Sequence, residues 1–181
     1  MSNETSLEEQ ISERVRAIKE CLIARGEMMA TAESCTGGLI ASSIVNEPGS
    51  SEILSGGIVA YQNEIKEKLL GVSHETLEKF GAVSEQTVKE MAAGALKQFG
   101  SQWAVSTSGI AGPGGAVPGK PVGTVWMCIS AQIGDNEVKN EAFCKIFEGN
   151  RLIIRLKTVL MVLDKLLFLV NNQKSTCTSE H

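Results

Sequence analysis

The sequence predicts a single α/β domain of three layers, with helices on both faces of a mixed β-sheet. Three observations lead to this prediction. Short strand-like segments alternate with amphipathic helices through the first part of the chain. Two consecutive strands without an intervening helix then follow, as in a hairpin. The chain has 181 residues, a length that suits one domain with a sizeable core.

Apolar spacing and glycine or proline breaks define the elements of the first half. Apolar residues recur at helical spacing between charged residues near the N-terminus. Pro48-Gly49 stops the helix that follows the first strand. Gly56-Gly57 lies inside the second strand and indicates a bulge or a close backbone approach. Ser84 is suited to cap the last helix of this half. The predicted elements are a helix over 6–25, a strand over 28–33, a helix over 39–46, a strand over 53–61 and helices over 63–70, 73–81 and 84–99.

A long glycine-rich loop divides the strands of the second half. The loop covers 109–121, and a loop of this length in a compact domain is usually functional. Gly134-Asp135-Asn136 predicts a hairpin turn, and Asn150 is placed to cap the final helix. The predicted elements are strands over 103–108, 124–130 and 138–147 and a helix over 151–170. Residues 174–181 are polar and predict a disordered tail, which leaves one domain over 1–173.

Composition and charge narrow the classes of function. The formal net charge is -4, so the chain has no electrostatic footprint for nucleic acid. It has no 18-residue uncharged apolar run, and its acidic N-terminus is unlike a signal peptide. We therefore expect a cytoplasmic protein with no membrane partner.

The five cysteines are odd in number and lack zinc spacing, which indicates reduced thiols. With only His74 and His181, a histidine-rich metal site is excluded, and His74 is expected to be a solvated surface residue.

The segment Thr31–Gly38 is the most informative stretch, because it joins a strand to a helix through a polar turn. Backbone N–H groups and the helix dipole at such a turn favour an anion. Thr36 adds a hydroxyl group, and Gly37-Gly38 allows a ligand to approach the backbone. Ser34 is a candidate nucleophile in this turn. Two alternatives stay open: a simple strand–helix connection with a capping hydroxyl, and a thiolate nucleophile at Cys35, which a helix N-terminus would favour.

Three further groups of residues are candidates for chemistry. Ser51 follows Gly49 in a turn, and Tyr61 precedes Lys66 by five residues. The loop that contains Ser108-Gly109 can present backbone donors, and Arg151 lies at a helix start, where a cation is unfavourable unless an anion is bound nearby. For the segment with Ser51 the alternative is a plain turn. For Lys66 it is a solvated helix lysine, and for Arg151 it is an ordinary surface arginine.

The scarcity of histidine bears on any hydrolytic mechanism. A serine nucleophile would need a lysine as its base, as in known Ser-Lys hydrolases. That lysine must be neutral near pH 7, so its pKa must fall by roughly 3 units. Burial and a nearby cation such as Arg151 would lower it, and Tyr61 is suited to relay a proton or orient the pair.

Seven segments occur together in one order, and they carry a resemblance to a known family. The chain resembles the CinA C-terminal domain family over about 6–170. The segments are AESCTGG (32–38), GSS (49–51), GGIVAYQNEIK (56–66), GAVSE (81–85), SGIAGPGG (108–115), KPVGTVW (120–126) and GNR (149–151). The resemblance implies a three-layer α/β/α domain that forms a homodimer or a larger homo-oligomer. It also implies hydrolysis of the nicotinamide mononucleotide carboxamide to nicotinic acid mononucleotide and ammonia, in pyridine nucleotide recycling, without a metal or cofactor.

The resemblance also implies roles for individual residues. The family uses a serine and a lysine aided by a tyrosine. The lysine corresponds here to Lys66 and the tyrosine to Tyr61. Ser51 is favoured as the nucleophile because it lies nearer to them in the sequence, while Ser34 has the better local electrostatics. The serine that does not attack would bind substrate. Substrate contacts would also come from Ser108, Gly109 and Arg151, and an arginine with two helix N-termini would suit a 5′-phosphate.

Two other functions stay open from the sequence. One is a catalytically inactive module of the same family that binds a nucleotide or acts in competence-related regulation. The presence of both serines, Tyr61, Lys66 and Arg151 favours the enzyme. The other is a nucleotide-sugar or pyrophosphate hydrolase, which would need carboxylates for a metal. Glu33 stands alone at the glycine-rich loops, which disfavours that function.

Overall fold

The fold is built around one five-stranded sheet. A computed structural model describes residues 3–134 and 137–173. The helices are α1 (Asn3–Arg25), α2 (Leu39–Val45), α3 (Asn63–Leu70), α4 (His74–Phe80), α5 (Glu85–Phe99) and α6 (Arg151–Asn172). The strands are β1 (Met29–Glu33), β2 (Leu54–Val59), β3 (Trp103–Gly109), β4 (Thr124–Gly134) and β5 (Glu137–Ile146). A 3-10 turn, Ser50–Glu52, precedes β2.

The sheet is mixed, as predicted. Its strand order is β2-β1-β3-β4-β5. Strand β1 is parallel to both β2 and β3, whereas β4 is antiparallel to β3 and to β5. The parallel strands need helical crossovers, and the last two strands form the predicted hairpin. The α/β fold class predicted from the sequence is therefore confirmed.

Helices cover both faces of the sheet and pack against it through apolar residues on each side. On one face, α1, α2 and α6 contribute buried residues such as Leu22, Ile40 and Val159. On the other face, α3, α4 and α5 pack over the small side chains of β1, among them Ala32. Burial of these apolar faces, rather than helix propensity alone, holds the helices in place.

The glycine pair in β2 produces both of the features that the sequence indicated. Ser55 is an extra residue in the ladder, since Met29 pairs with Leu54 while Ala30 pairs with Gly56. A Cβ atom on Gly56 would lie 2.4 Å from the ring of Phe99, and one on Gly57 would lie 2.3 Å from the Thr31 hydroxyl oxygen. These glycines allow α5 and β1 to approach the edge strand closely.

The element bounds differ most from the prediction at the edges of the sheet. Strand β2 is shorter than the segment 53–61, and β4 continues four residues beyond the predicted end at 130. The turn residues Asp135 and Asn136 and the tail 174–181 lie outside the described residues. None of the helices in the described ranges is both long and apolar enough to cross a bilayer.

Candidate active site

The predicted functional segments meet at one edge of the sheet. Strands β1, β2 and β3 run parallel, so their carboxyl ends lie side by side. The polar turn 34–38 follows β1, Tyr61 follows β2, and the glycine-rich loop follows β3. This edge is where ligands bind in open α/β sheets.

Lys66 is buried at this edge. Only 1% of its surface is exposed to solvent. The Nζ atom donates hydrogen bonds to the carbonyl oxygens of Ala60 at 2.9 Å and Tyr61 at 3.0 Å. Burial lowers the pKa of Lys66 from its ordinary value, and the nearby Cys35 opposes this with a smaller effect. Lys66 is therefore not the solvated helix lysine of the alternative interpretation.

Ser34 lies directly after β1, next to the end of β2. Its N–H donates to the Thr107 carbonyl, and the preceding residue, Glu33, accepts from the N–H of Ala60. Ser34 is 8% exposed. Among residues 3–134 and 137–173, its hydroxyl oxygen makes no hydrogen bond. A hydroxyl that is not committed to a structural contact is free to act on a ligand.

Cys35 is a buried thiol. Burial raises its pKa to about 12, although its own backbone N–H, the Thr107 hydroxyl and the charge of Arg151 all favour the thiolate. The thiol is therefore protonated near neutral pH. Burial therefore disfavours the alternative of a thiolate nucleophile in this turn, because desolvation outweighs the nearby N–H groups.

The N-terminus of α2 is capped from within the protein. The Glu33 carboxylate is fully buried and accepts hydrogen bonds from the N–H groups of Gly38 at 3.0 Å, Ile40 at 3.1 Å and Ala41 at 2.9 Å. Gly38, at the N-cap position, has no side chain to do this. The expected anion site on this helix end is thus wrong, since a carboxylate of the chain itself occupies it.

Thr36, Gly37 and Gly38 shape the turn. The Thr36 hydroxyl lies 2.7 Å from the Thr107 hydroxyl and is buried. Gly37 and Gly38 have φ values of 60° and 89°, which other residues adopt only with strain. Arg155 holds the turn from α6, because its Nε and one terminal nitrogen donate to the Thr36 carbonyl at 3.1 and 2.6 Å. Sequence reasoning missed Arg155, although its spacing of four residues from Arg151 places both on one face of a helix.

Arg151 connects two of the predicted segments. It is the first residue of α6. Its guanidinium donates to the Gly112 carbonyl at 2.7 Å and to the Tyr61 hydroxyl at 3.1 Å. Tyr61 is 60% exposed. The phenol and the guanidinium therefore lie at the accessible side of the site, while Lys66 is covered.

Ser108 and Gly109 are occupied by contacts within the fold. The Ser108 hydroxyl donates to the Ala82 carbonyl at 2.7 Å, and the residue is 1% exposed. A Cβ atom on Gly109 would lie 2.7 Å from the Thr124 carbonyl oxygen, so glycine is needed for β3 to pair closely with β4. These contacts give both residues structural roles at positions where substrate contacts were expected.

Ser51 lies away from the other candidates within the chain. It is exposed in the 3-10 turn before β2, at the amino end of that strand. The carboxyl end, where Lys66 binds, is six strand residues away, a length of roughly 20 Å. Proximity in sequence was misleading here, because a whole strand separates Ser51 from Tyr61.

Other titratable groups lie outside this edge. His74 is exposed on α4, as expected, and the neighbouring Glu67 and Glu78 raise its pKa. The described part of the chain has no group of three or more His, Cys, Asp or Glu residues arranged to hold a metal ion.

The fold and these residues define an α/β protein with a buried lysine and two arginines at the carboxyl edge of its sheet. The family model of the CinA C-terminal domain matches residues 11–170. The chain belongs to this family.

Similar proteins carry names from the same family. A "CinA-like protein" from Thermotoga maritima is 44% identical over 164 residues, which are 91% of this chain and 37% of the relative. A "putative competence-damage inducible protein" from Clostridioides difficile is 45% identical over 90% of this chain and 36% of the relative. The chain thus spans a little over a third of the length of these curated relatives.

Solved structures agree in fold. A competence/damage inducible protein from Agrobacterium tumefaciens has a TM-score of 0.83 at 42% identity, covering 90% of this chain and 96% of the other. A competence damage-inducible protein from Klebsiella pneumoniae has a TM-score of 0.85 at 33% identity, covering 91% of this chain and 99% of the other.

Proposed function

We propose that this protein is an amidohydrolase that converts nicotinamide mononucleotide to nicotinic acid mononucleotide and ammonia. The observation that carries the proposal is the buried amine of Lys66 at the ligand-binding edge of the sheet. The family resemblance supplies the substrate, and the site supplies groups suited to acyl transfer. Burial lowers the pKa of Lys66, as a general base near neutral pH requires.

The hydrogen bonds of Lys66 suit the neutral amine. A neutral amine has two N–H donors and one lone pair, and the two carbonyls of Ala60 and Tyr61 can accept from both donors. The lone pair then has a fixed direction and is free to accept a proton. A protonated amine has three donors, of which these two carbonyls satisfy only two. This geometry supports a role for Lys66 as a base.

We assign Ser34 as the nucleophile. Two observations support it over Ser51: Ser34 lies at the same edge as Lys66, and its hydroxyl makes no hydrogen bond within the described residues. The buried, protonated Cys35 is a weaker candidate. Tyr61 would help to orient the substrate at the accessible side of the site.

The proposed reaction has two steps. Lys66 takes the proton of the Ser34 hydroxyl while the oxygen attacks the carboxamide carbon. The protonated Lys66 then gives that proton to the departing nitrogen, and ammonia leaves behind an ester on Ser34. In the second step, Lys66 takes a proton from water and the hydroxide attacks the ester. Lys66 then returns that proton to the Ser34 oxygen, and the carboxylic acid product loses its own proton to solvent.

Ammonia release from nicotinamide mononucleotide tests this proposal. The purified full chain is incubated with the nucleotide, with and without EDTA, and both ammonia and nicotinic acid mononucleotide are measured. We expect equal amounts of both products, in either condition. Absence of both products in the wild type would contradict the enzyme and favour a non-catalytic nucleotide-binding module, and activity lost only with EDTA would contradict the metal-free mechanism.

A further inference from the structure

Arg155 makes a paired contact with the turn that carries the candidate nucleophile. Its Nε and one terminal nitrogen donate to the Thr36 carbonyl oxygen at 3.1 and 2.6 Å. Hydrogen bonds from a charged donor are about twice as strong as those between neutral groups. In the described part of the chain, no carboxylate lies within ion-pair distance of Arg155. The Thr36 carbonyl is therefore the acceptor on which this guanidinium acts.

The contact fixes one peptide group of the turn, the one that joins Thr36 to Gly37. In a trans peptide the carbonyl and the N–H point in opposite directions. Since the carbonyl faces Arg155, the N–H of Gly37 is directed at the Ser34 carbonyl oxygen and donates to it at 3.1 Å. A Cβ atom on Gly37 would lie 3.7 Å from a terminal nitrogen of Arg155, so the guanidinium lies against this peptide. The main chain of Ser34 is thereby linked to a side chain of α6.

Few other contacts hold this peptide group in place. Gly37 and Gly38 have φ values of 60° and 89°, and glycine lets the backbone rotate at low steric cost. The other N–H that donates to the Thr36 carbonyl, that of Leu39, does so at 3.3 Å, which is long for a hydrogen bond. Arg155 therefore supplies the two stronger contacts to this carbonyl.

The remaining contacts hold the two ends of the turn. At the strand end, the Ser34 N–H donates to the Thr107 carbonyl at 2.9 Å. At the helix end, the N–H groups of Gly38 and Ile40 donate to the Glu33 carboxylate. Because the Ser34 hydroxyl makes no hydrogen bond within the described residues, its direction depends on the backbone of the turn. A contact that fixes the middle of the turn thus sets the direction of this hydroxyl.

We propose that Arg155 is a positioning residue for the nucleophile: by binding the Thr36 carbonyl, it aims the Ser34 hydroxyl at the carbon that is attacked. This inference rests on the proposed function for the role of Ser34. Arg155 acts through the turn and does not touch the reacting atoms. Misplacement of a reacting group by about 1 Å lowers a rate by roughly 10²-fold, so a loosened turn should slow the attack strongly.

Labelling with a fluorophosphonate, an electrophile that reacts with activated serine hydroxyls, tests the proposal without requiring the substrate. Mass spectrometry measures the labelling rate, and Ser34→Ala confirms which residue is modified. We expect Arg155→Met to label roughly 10- to 100-fold more slowly than the wild type. Lys157→Met is the matched control and should label at the wild-type rate, because Lys157 lies on the same helix and also donates to a main-chain carbonyl, that of Glu148.

Equal labelling rates in the wild type and Arg155→Met, or no labelling of Ser34 in the wild type, would overturn the proposal. Arg155→Lys covers the case in which Arg155→Met does not fold, as judged by its melting temperature. Lysine keeps the charge but lacks the planar fork of the paired contact. Its labelling rate should therefore fall below that of the wild type and stay above that of a folded Arg155→Met protein. A folded Arg155→Lys protein that labels at the wild-type rate would also overturn the proposal.

Turnover of nicotinamide mononucleotide separates a positioning role from a contact with the substrate. Arg155→Met should lower kcat by a factor similar to that for labelling and leave KM within about twofold of the wild type. An increase in KM with unchanged kcat would place Arg155 on the substrate and contradict the positioning role. The pH at which kcat/KM rises should stay that of the wild type, because Lys66 is unchanged. A shift of that pH would mean that Arg155 acts through the ionisation of Lys66 instead.

The positioning role and the proposed function fail separately. If the wild type releases no ammonia but Arg155→Met still slows the labelling of Ser34, the positioning role stands and the amidase falls. If ammonia is released and the labelling of Ser34 does not depend on Arg155, the amidase stands and the positioning role falls.

Discussion

The carbonyl oxygen of Tyr61 accepts a 3.0 Å hydrogen bond from the amine of Lys66, although the Tyr61 residue itself is 60% exposed. The main chain of Tyr61 thus orients the buried amine, while its phenol lies at the accessible side of the site next to Arg151. The five-residue spacing between Tyr61 and Lys66 follows from this geometry. One turn of helix after Tyr61 returns the lysine side chain to the end of β2.

Replacement of Lys66 by Met tests its role as the base. Lys66→Met keeps much of the side-chain volume but removes the proton acceptor, so kcat should fall by roughly 10²- to 10⁴-fold. Steady-state ammonia release measures this change. Lys68→Met, on the exposed side of the same helix, is the control and should retain wild-type kcat. Undiminished turnover in Lys66→Met would remove lysine from the mechanism.

The pH dependence of activity should follow the ionisation of Lys66. Because burial lowers the pKa of Lys66 from 10.5, kcat/KM should rise with pH and level off below 10.5. The rise should disappear from the residual activity of Lys66→Met. A profile whose rise is unchanged in that variant would assign the titration to another group, and His74→Gln tests the exposed histidine in the same way.

Stability should depend on pH through the same group. The unfolded chain keeps the proton on Lys66 up to about 10.5, whereas the folded chain releases it at a lower pH. The unfolded state therefore binds more protons between the lowered pKa and 10.5, and the free energy of unfolding should rise with pH across that window. Urea denaturation of the wild type and Lys66→Met at several pH values measures it. If the free energy of unfolding of the wild type fell with pH relative to that of Lys66→Met, the lowered pKa would be contradicted.

Glu33 should be important for stability through its cap of α2. Glu33→Gln replaces one acceptor oxygen with an NH₂ group that faces backbone N–H donors, so the free energy of unfolding should fall by about 1–3 kcal/mol. Chemical denaturation measures the loss. Glu64→Gln, an exposed position in α3, should change stability little. A Glu33→Gln protein as stable as the wild type would show that the cap contributes nothing.

Tyr61→Phe separates the phenol of Tyr61 from its carbonyl. The substitution removes the 3.1 Å hydrogen bond from Arg151 but leaves the carbonyl that holds Lys66. We expect kcat/KM to fall by roughly 10-fold, the effect of losing one hydrogen bond, with the pH of the rise unchanged. A shift of that rise would show that the phenol takes part in the ionisation of Lys66.

The fold was predictable because its signals are local. The alternation of strands and helices and the glycine pair in β2 each depend on nearby residues, and they gave the mixed sheet and the bulge at Ser55. Because β1 and β3 are parallel in the structure, the turn after β1 and the loop after β3 lie at a common edge of the sheet.

The site was less predictable because it depends on contacts between distant segments. Sequence proximity favoured Ser51, but β2 carries the chain from one edge of the sheet to the other between Ser51 and Lys66. Glu33 reaches five to eight residues forward to cap α2, which no capping pattern at the N-cap position would reveal. Arg155 meets Thr36 across 119 residues of sequence.

A comparison of Ser34→Ala with Ser51→Ala tests the central claim, that the hydroxyl of Ser34 attacks with Lys66 as its base. Ammonia release from nicotinamide mononucleotide is measured for both variants and the wild type, with melting temperatures as the check on folding. We predict that Ser34→Ala loses turnover by at least roughly 10³-fold while Ser51→Ala keeps the wild-type rate. Turnover that survives in a folded Ser34→Ala protein and is lost in Ser51→Ala would contradict the account.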